Sequence, residues 1–248
     1  MNILSFVISV SLPLCLMIGA YASESPSAGK QQGQKFEAQI VKTVRLGYLL
    51  YLPKGYEPNT KEKYPLILFL HGMGERGDDL NLIKKHGIPK IVEQKDDFPF
   101  IALSPQCPGN SFWTVELEAL NALLDDVVTK YAVDVDRIYL TGLSMGGYGA
   151  WALAMEYPKR FAAIVPICGG GDTKNVSAIK DIPVWVFHGA KDSVVKLEES
   201  EKMVNALKEC GGNIQFTVYP EADHDSWTVT YDNPELYKWL LKQSRSKK

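Results

Sequence analysis

The sequence predicts an α/β protein in which helices flank a mostly parallel sheet, and two observations support this class. Short, continuous apolar runs, typical of strands that are buried on both faces, recur at 65–70, 100–103, 137–140, 163–167, 184–187 and 214–219. Helical patterns lie between them at 115–131, 145–157, 197–210 and 234–243. Strands that alternate with helices build such a sheet. The looser alternation at 36–44 and 46–52 predicts an antiparallel pair that opens the domain.

Composition and charge narrow the class further. The chain has 248 residues, of which 46% are hydrophobic, and no linker interrupts 36–243. We therefore predict one domain over residues 36–248. The formal net charge of −2 and the lack of a basic stripe argue against a nucleic-acid partner.

The N-terminus differs in kind from the rest of the chain. Residues 1–22 carry no charged side chain and end in Ala20-Tyr21-Ala22, a pattern suited to signal peptidase. We predict a signal peptide over 1–22 and a flexible leader over 23–35, and hence a secreted or periplasmic protein without stable membrane association after cleavage. The alternative is an uncleaved anchor, because the apolar run is nearly long enough to span a bilayer.

The cysteines allow two interpretations. Cys15 would leave with the signal peptide, so the mature chain would keep Cys107, Cys168 and Cys210, an odd number. An exported protein can form a disulfide, but the sequence does not indicate which cysteines would pair. Small buried free thiols agree with the sequence at least as well. No Cys/His spacing resembles a zinc site.

One serine stands between two glycines where a strand gives way to a helix. The stretch Gly142-Leu143-Ser144-Met145-Gly146 follows the apolar run at 137–140 and precedes the helical pattern that begins at Met145. Such a turn strains the backbone of the serine and exposes its hydroxyl above the sheet. The helix N-terminus favours developing negative charge, and the Met145 N–H would point toward an oxyanion. We therefore predict that Ser144 is a nucleophile.

A serine nucleophile needs a base, and the chain has four histidines. His71 and His188 each follow an apolar strand and precede Gly. Either could shape the site, but for direct chemistry we favour hydrogen-bonded histidines at strand ends. His86 lies in a polar K-K-H-G stretch, which predicts a solvated loop residue. His224 follows the last predicted strand and precedes the final helix, which makes it the best candidate base.

The base in turn needs an orienting carboxylate. Asp192 lies beyond the strand predicted at 184–187, which makes it the first candidate. Asp223 and Asp225 flank His224 too closely in sequence to orient its ring easily, and Asp172 is a reserve. The chain order serine, aspartate, histidine is that of one known arrangement of serine hydrolases and differs from two others.

A second oxyanion donor is expected from the glycine-rich stretch L-F-L-H-G-M-G-E-R-G at 68–77. Its glycines free the backbone to turn N–H groups toward the site. We assign this donor to Met73, beside that of Met145, with Gly72 as the alternative.

These motifs together resemble the α/β-hydrolase superfamily. The resemblance is carried by the stretch at 68–77, L-S-P-Q-C-P at 103–108, G-L-S-M-G-G-Y-G-A-W at 142–151, H-G-A-K-D at 188–192 and A-D-H-D-S-W at 222–227. More narrowly, the chain is similar to phospholipase/carboxylesterase, dienelactone-hydrolase and polyhydroxybutyrate-depolymerase-like groups, which include feruloyl and acetyl-xylan esterases. The resemblance implies an eight-stranded α/β-hydrolase sheet and a serine hydrolase that works through an acyl-enzyme and needs no metal or other cofactor. True dienelactone hydrolases carry Cys as the nucleophile, so Ser144 argues against that activity.

The connection at 169–181 is short and polar, which predicts an open cleft without a large lid or cap domain. Trp113 and Trp227 are candidate substrate-binding residues, although either aromatic could equally pack in the core. By analogy with the family, we expect a small-molecule or oligosaccharide ester substrate, with feruloyl or acetyl esters of plant polysaccharides as the first candidates. The alternatives are a serine peptidase or aminoacyl hydrolase of the same fold, and a non-catalytic binding protein on this scaffold.

Overall fold

The computed structural model describes residues 36–38, 41–58, 61–95 and 97–247. The chain divides into two units, Met1–Lys42 and Thr43–Lys248. In the first unit the described residues, 36–38 and 41–42, have no regular secondary structure. The signal peptide predicted at 1–22 and the leader predicted at 23–35 lie outside the described residues. The strands and helices of the described residues all lie in the second unit.

Seven strands form a single mixed sheet in the described part of the chain. In chain order they are β1 Tyr48–Tyr51, β2 Tyr64–Leu70, β3 Ile101–Pro105, β4 Val133–Leu143, β5 Ala163–Ile167, β6 Val184–Gly189 and β7 Ile214–Tyr219. Their order across the sheet is β1-β3-β2-β4-β5-β6-β7. Strand β1 pairs antiparallel with β3, and all other pairs are parallel. The predicted α/β-hydrolase fold class is confirmed.

Two details of the predicted sheet are wrong for the described residues. The sheet has seven strands rather than eight, because the described residues of 36–44 form no strand. Phe36 and Val41 are 92% and 87% exposed, so neither apolar side chain has the packing contacts that stabilise a strand. Strand β1 is antiparallel as predicted, but its partner is β3, with Tyr48 opposite Pro105.

Six helices surround the sheet in the described residues. They are α1 Gly87–Val92, α2 Leu117–Lys130, α3 Met145–Glu156, α4 Leu197–Glu209, α5 Trp227–Tyr231 and α6 Pro234–Lys242. The sequence predicts α2, α3, α4 and α6 to within about two residues at each end, which is the ordinary uncertainty of helix ends. The short helices α1 and α5 and the 3₁₀ segments Met73–Glu75, Leu80–Lys85 and Thr173–Ile179 are not anticipated by the apolar periodicity. No helix among the described residues is both long enough and apolar enough to cross a bilayer.

Strand β2 explains why the predicted strands are apolar throughout. Leu66, Leu68 and Leu70 point into the core on one face of the sheet, and Ile67 and Phe69 point into the core on the other. Because successive side chains of a strand alternate between faces, a strand covered on both sides has no solvent-facing position. The central strands are therefore held by packing on both faces. Their carboxyl ends meet at one edge of the sheet, and ligand sites of such sheets form at that edge.

Candidate active site

Ser144 lies in the turn that joins β4 to α3. Its φ of 53° and ψ of −117° fall in a region that non-glycine residues rarely adopt. The surrounding structure holds this conformation, since the Ser144 N–H donates to the Ile167 carbonyl on β5 at 3.0 Å and the Ser144 carbonyl accepts from Gly147 and Tyr148. The strained turn presents the hydroxyl at the carboxyl edge of the sheet, as the sequence pattern predicts.

The two flanking glycines are required by close backbone contact. A Cβ at Gly142 would lie 2.2 Å from the Gly146 carbonyl oxygen, and a Cβ at Gly146 would lie 1.9 Å from the Leu70 carbonyl oxygen. Both distances are far below any real contact. The glycines thus let α3 start directly against β2 and β4.

The three side chains singled out as nucleophile, base and acid form one hydrogen-bonded chain. His224 Nε2 lies 3.0 Å from Ser144 Oγ, and His224 Nδ1 lies 2.8 Å from Asp192 Oδ2. Because a carboxylate only accepts, the Nδ1–H donates to Asp192, and Nε2 is left to accept the Ser144 hydroxyl proton. This is the arrangement in which an imidazole can take a proton from a serine.

The Asp192 side chain is fully buried and has several hydrogen-bond donors. Its Oδ1 accepts from the backbone N–H groups of Val194 and Val195 at 2.9 and 2.8 Å. Its Oδ2 accepts from His224 and also lies 3.1 Å from Nε2 of His188. These donors hold the carboxylate in a single orientation.

The competing carboxylates have other partners. Asp223 accepts from the Ser193 N–H and the His224 N–H, both at 2.8 Å, and its hydrogen bonds, those from Ser193 first, lower its pKa. Asp225 accepts from Thr228 at the start of α5. Asp172 accepts from the N–H two residues after it. Asp223 therefore braces the loop that carries His224 through backbone hydrogen bonds.

Both predicted oxyanion donors border the same cleft as Ser144. Met145 is the first residue of α3, and Met73 is the first residue of the 3₁₀ segment that follows Gly72. The first N–H groups of a helix have no partner within the helix and are available to bind an anion. Arg76 braces this loop by donating to the Met73 and Ser111 carbonyls at 3.2 and 3.0 Å.

The cleft above Ser144 has a volume of about 590 Å³, within the range of small-molecule sites. Its walls are mainly apolar and aromatic and come from separate loops and helices. The lining includes Met73, His86, Phe112, Tyr148, Val194 and Trp227. Tyr148 lies one helical turn after Ser144, so the i, i+4 spacing on α3 could have identified it from the sequence.

The two candidate tryptophans differ in their surroundings. Trp113 is fully buried, its indole N–H donates to the His71 carbonyl at 2.9 Å, and its ring packs edge-on against His71. It is a core residue that also borders the cleft. Trp227 is half-buried, lines the cleft and packs edge-on against the His224 ring, with 5.1 Å between the ring centres.

The sequence interpretation of His86 is incomplete. His86 lies in a bend before α1, as predicted for a loop residue, but it is half-buried and lines the cleft, and its ring centre lies 5.5 Å from that of Trp227. Its position depends on how the 3₁₀ segment at 80–85 and α1 fold back toward α5, and no local pattern reveals this.

His71 and His188 are buried and hydrogen-bonded, as the sequence interpretation expects. His71 Nδ1 donates to the Gly72 carbonyl at 2.6 Å, and Nε2 accepts from the Cys107 N–H at 3.0 Å. Burial lowers the pKa of His71 from 6.5 to about 4, so the ring is neutral at neutral pH. His188 contacts Asp192, which the sequence interpretation does not anticipate.

The three cysteines within the described residues are free thiols. Cys168 Sγ, an Asp192 oxygen and a His224 nitrogen lie within 4.8 Å of one another, which is close enough for three ligands of one metal ion. Burial raises the pKa of the free Cys168 thiol to about 12. Asp192 and His224 are hydrogen-bonded to each other at 2.8 Å, so both side chains already have a partner within this group.

The fold is that of an α/β-hydrolase, and Ser144 lies in its turn between β4 and α3. The dienelactone hydrolase family model matches residues 107–235, just over half of the chain, and the chain belongs to that family. The matched segment includes Ser144, Asp192 and His224.

Three similar proteins bear on the kind of chemistry. The bifunctional acetylxylan esterase/xylanase XynS20E of Neocallimastix patriciarum is 26% identical, over 77% of this chain and 27% of that protein. Feruloyl esterase C of Emericella nidulans is 25% identical, over 80% of this chain and 75% of that protein. The crystal structure of a thermostable esterase superposes with a TM-score of 0.70 and 40% identity, over 81% of this chain and 60% of that one. This chain thus spans about a quarter of the first protein and about three fifths of the thermostable esterase.

Proposed function

We propose that this protein is a serine carboxylic ester hydrolase in which Ser144 is the nucleophile, His224 the general base and Asp192 the orienting acid. The observation that carries the proposal is the continuous hydrogen-bonded chain from Asp192 through His224 to Ser144, on a strained turn that opens into a cleft. Family membership and the esterases among the similar proteins support it.

Acylation begins when Ser144 Oγ attacks the ester carbonyl carbon while its proton moves to His224 Nε2. The resulting imidazolium is stabilised by the Asp192 carboxylate, and the oxyanion accepts from the N–H groups of Met145 and Met73. Each such donor is worth about 3 kcal/mol of barrier. The bond from carbon to the alcohol oxygen then breaks, and His224 returns the proton to the leaving alcohol.

Deacylation repeats these steps with water. His224 Nε2 takes a proton from water as the water oxygen attacks the acyl-enzyme carbonyl. Collapse of the second tetrahedral intermediate breaks the bond to Ser144 Oγ, and the serine recovers its proton from His224. The products are the carboxylic acid and the free enzyme.

The cleft supports the proposed substrate class. Its apolar wall, with Phe112, Tyr148 and Trp227, suits an aryl or short acyl group. The proposed substrates are feruloyl or acetyl esters of plant polysaccharides, which also agrees with the acetylxylan and feruloyl esterases among the similar proteins. Such polymers lie outside the cell, so the proposal includes secretion after removal of residues 1–22. Mass measurement of the mature protein, with Ser23 as its expected first residue, tests the secretion step.

Turnover of three kinds of ester tests the proposed activity. Methyl ferulate, acetylated xylo-oligosaccharide and short p-nitrophenyl esters are compared, with Ser144→Ala as the blank. We expect turnover of ferulate or acetyl-xylan that Ser144→Ala abolishes. Turnover of simple esters alone would keep the esterase but remove the polysaccharide substrate. Absence of any turnover that depends on Ser144 would overturn the proposal and favour a peptidase or a binding protein.

A further inference from the structure

The Asp192 carboxylate lies between two histidines. Its Oδ2 is 2.8 Å from Nδ1 of His224 and 3.1 Å from Nε2 of His188, and the side chains of Asp192 and His188 are both fully buried. His188 is the fifth residue of β6 and stands four residues before Asp192. The steps of the proposed reaction assign it no part, so this second histidine needs its own explanation.

The partners of His188 assign the proton on Nε2. This nitrogen lies 2.9 Å from the Val195 carbonyl oxygen and 3.1 Å from Asp192 Oδ2, and both of these oxygens only accept. Nε2 must therefore carry a hydrogen. On the other side of the ring, Nδ1 lies 2.7 Å from Ser200 Oγ, which also donates to the Gly169 carbonyl at 2.9 Å. Nε2 therefore carries a hydrogen and donates it whether or not Nδ1 is also protonated.

We propose that His188 is a positioning residue of the active site. Its Nε2–H donates to the Val195 carbonyl and so holds the turn whose Val194 and Val195 N–H groups bind Asp192 Oδ1, and the same nitrogen lies 3.1 Å from Asp192 Oδ2. This inference rests on the proposed function, since it gives His188 a role through Asp192. The contacts with Ser200 on α4 and with the Val195 carbonyl fix the ring, so the donor is set before substrate binds.

The contact between His188 and Asp192 has an electrostatic consequence. An N–H group beside a carboxylate stabilises its charge and reduces its pull on another proton. His188 therefore limits how strongly Asp192 stabilises the His224 imidazolium. The other titratable groups around Asp192 and His224, in direct contact or one neighbour away, include Cys168, Tyr148, Glu199, Asp223, Asp225 and, through Trp227, His86.

The tautomers of the wild-type histidines give a test that needs no substitution of His188 and no activity. In ¹⁵N-histidine-labelled protein, two-bond ¹H–¹⁵N correlations distinguish protonated from bare ring nitrogens. His71 and His224 are expected with a proton on Nδ1, and His188 with a proton on Nε2. His86→Asn removes the signal of the fourth histidine and so simplifies the assignment. A bare Nε2 on His188 would overturn the proposal.

Two variants test the role itself. His188→Leu removes the donor, and His188→Gln keeps an N–H near the position of Nε2. Thr141→Val is the matched control on β4, because it removes the buried hydrogen bonds that the Thr141 hydroxyl makes with the Val165 carbonyl and the Tyr231 hydroxyl. Activity per folded molecule, the pH profile of kcat/KM and the urea midpoint are measured for each.

We expect His188→Leu to lower kcat/KM about 10-fold. In the pH profile of kcat/KM, the acidic side should also shift to higher pH by about half a unit. His188→Gln should reverse most of both effects, whereas Thr141→Val should lower the urea midpoint with an unchanged profile. If His188→Leu only lowers stability, as Thr141→Val does, the positioning role is wrong. If neither the wild type nor any variant hydrolyses esters, the proposed function fails, while the tautomer result still stands as a separate outcome.

Discussion

The floor of the cleft, around Asp192 and Ser144, and its mouth, formed by Met73, Phe112 and Val194, are built in opposite ways. On the floor, the Asp192 side chain is fully buried, and its carboxylate accepts three hydrogen bonds and lies 3.1 Å from His188 Nε2. The three side chains at the mouth are 53%, 44% and 68% exposed. Rigid, paired groups can fix a reaction geometry, whereas exposed apolar groups can adapt to different acyl chains. We therefore expect the floor to set the chemistry and the mouth to set the choice of substrate.

The largest effect is expected at the floor from Asp192→Asn. An amide can donate to His224 Nδ1 and so favour the tautomer that leaves no acceptor for Ser144, which should lower kcat by about 10⁴-fold. Asp223→Asn is the control, because Asp223 accepts from the His224 backbone, and it should lose less than about 10-fold. Equal losses in the two variants would contradict the assignment of Asp192.

A backbone change under the floor should act on folding. Gly146→Ala would place a Cβ 1.9 Å from the Leu70 carbonyl oxygen, and we expect a loss of more than about 4 kcal/mol in the free energy of unfolding. Gly74→Ala is the control, since a Cβ there meets nothing within 4 Å. Urea unfolding of both variants measures the difference, and a Gly146→Ala protein as stable as Gly74→Ala would refute the close contact.

His71 precedes the loop that carries Met73, and its lowered pKa predicts that the stability of the protein depends on pH. Its pKa is about 4 in the folded protein against 6.5 when unfolded, so below pH 6.5 the unfolded state binds more protons. This contribution is fully present above pH 6.5 and is lost as pH falls toward 4, by about 2 kcal/mol between about pH 7.5 and about pH 5. Urea unfolding at these two pH values should show the loss in wild type, and His71→Gln should lack that part of it. Equal losses in both proteins would argue against His71 as the source.

The mouth should respond with a smaller change in substrate binding. Phe112 lines the cleft under the Arg76 guanidinium, which lies 4.8 Å from the centre of its ring. Phe112→Ala should raise KM for methyl ferulate about 5-fold with little change in kcat, because the ring contributes about 1 kcal/mol of aromatic contact. Val115→Ala, at an exposed residue outside the cleft lining, is the control. A fall in kcat alone would place Phe112 with the floor instead.

The smallest effect is expected from thiol modification. Burial raises the pKa of Cys107 to about 11 and that of Cys168 to about 12. Both thiols are therefore protonated at mildly alkaline pH, and both are shielded from solvent. Iodoacetamide should leave ester turnover unchanged. Of Cys107, Cys168 and Cys210, at most Cys210 should be labelled, and peptide mass mapping checks this. Rapid labelling of Cys168 would show that the floor opens to solvent.

The sequence predicts the floor better than the mouth for a physical reason. The turn at Ser144 follows from five consecutive residues, and the order of Asp192 and His224 follows from strands that are apolar throughout. The position of His86 depends on packing between segments that are distant in sequence, so its K-K-H-G surroundings are misleading. The strand predicted at 36–44 is not formed by its described residues for a related reason. Alternating apolar residues alone do not provide a neighbouring strand with which to pair.

The strained turn at Ser144 also limits how the protein can change over generations. Substitutions at Gly142 or Gly146 collide with backbone atoms that no side-chain movement can relieve. The side chains of Met73, Phe112 and Val194 face solvent, so replacing them alters the walls of the cleft and keeps the backbone N–H groups of Met73 and Val194. Single substitutions at the mouth can therefore change substrate preference, whereas single substitutions of Gly142 or Gly146 disrupt the turn that carries Ser144.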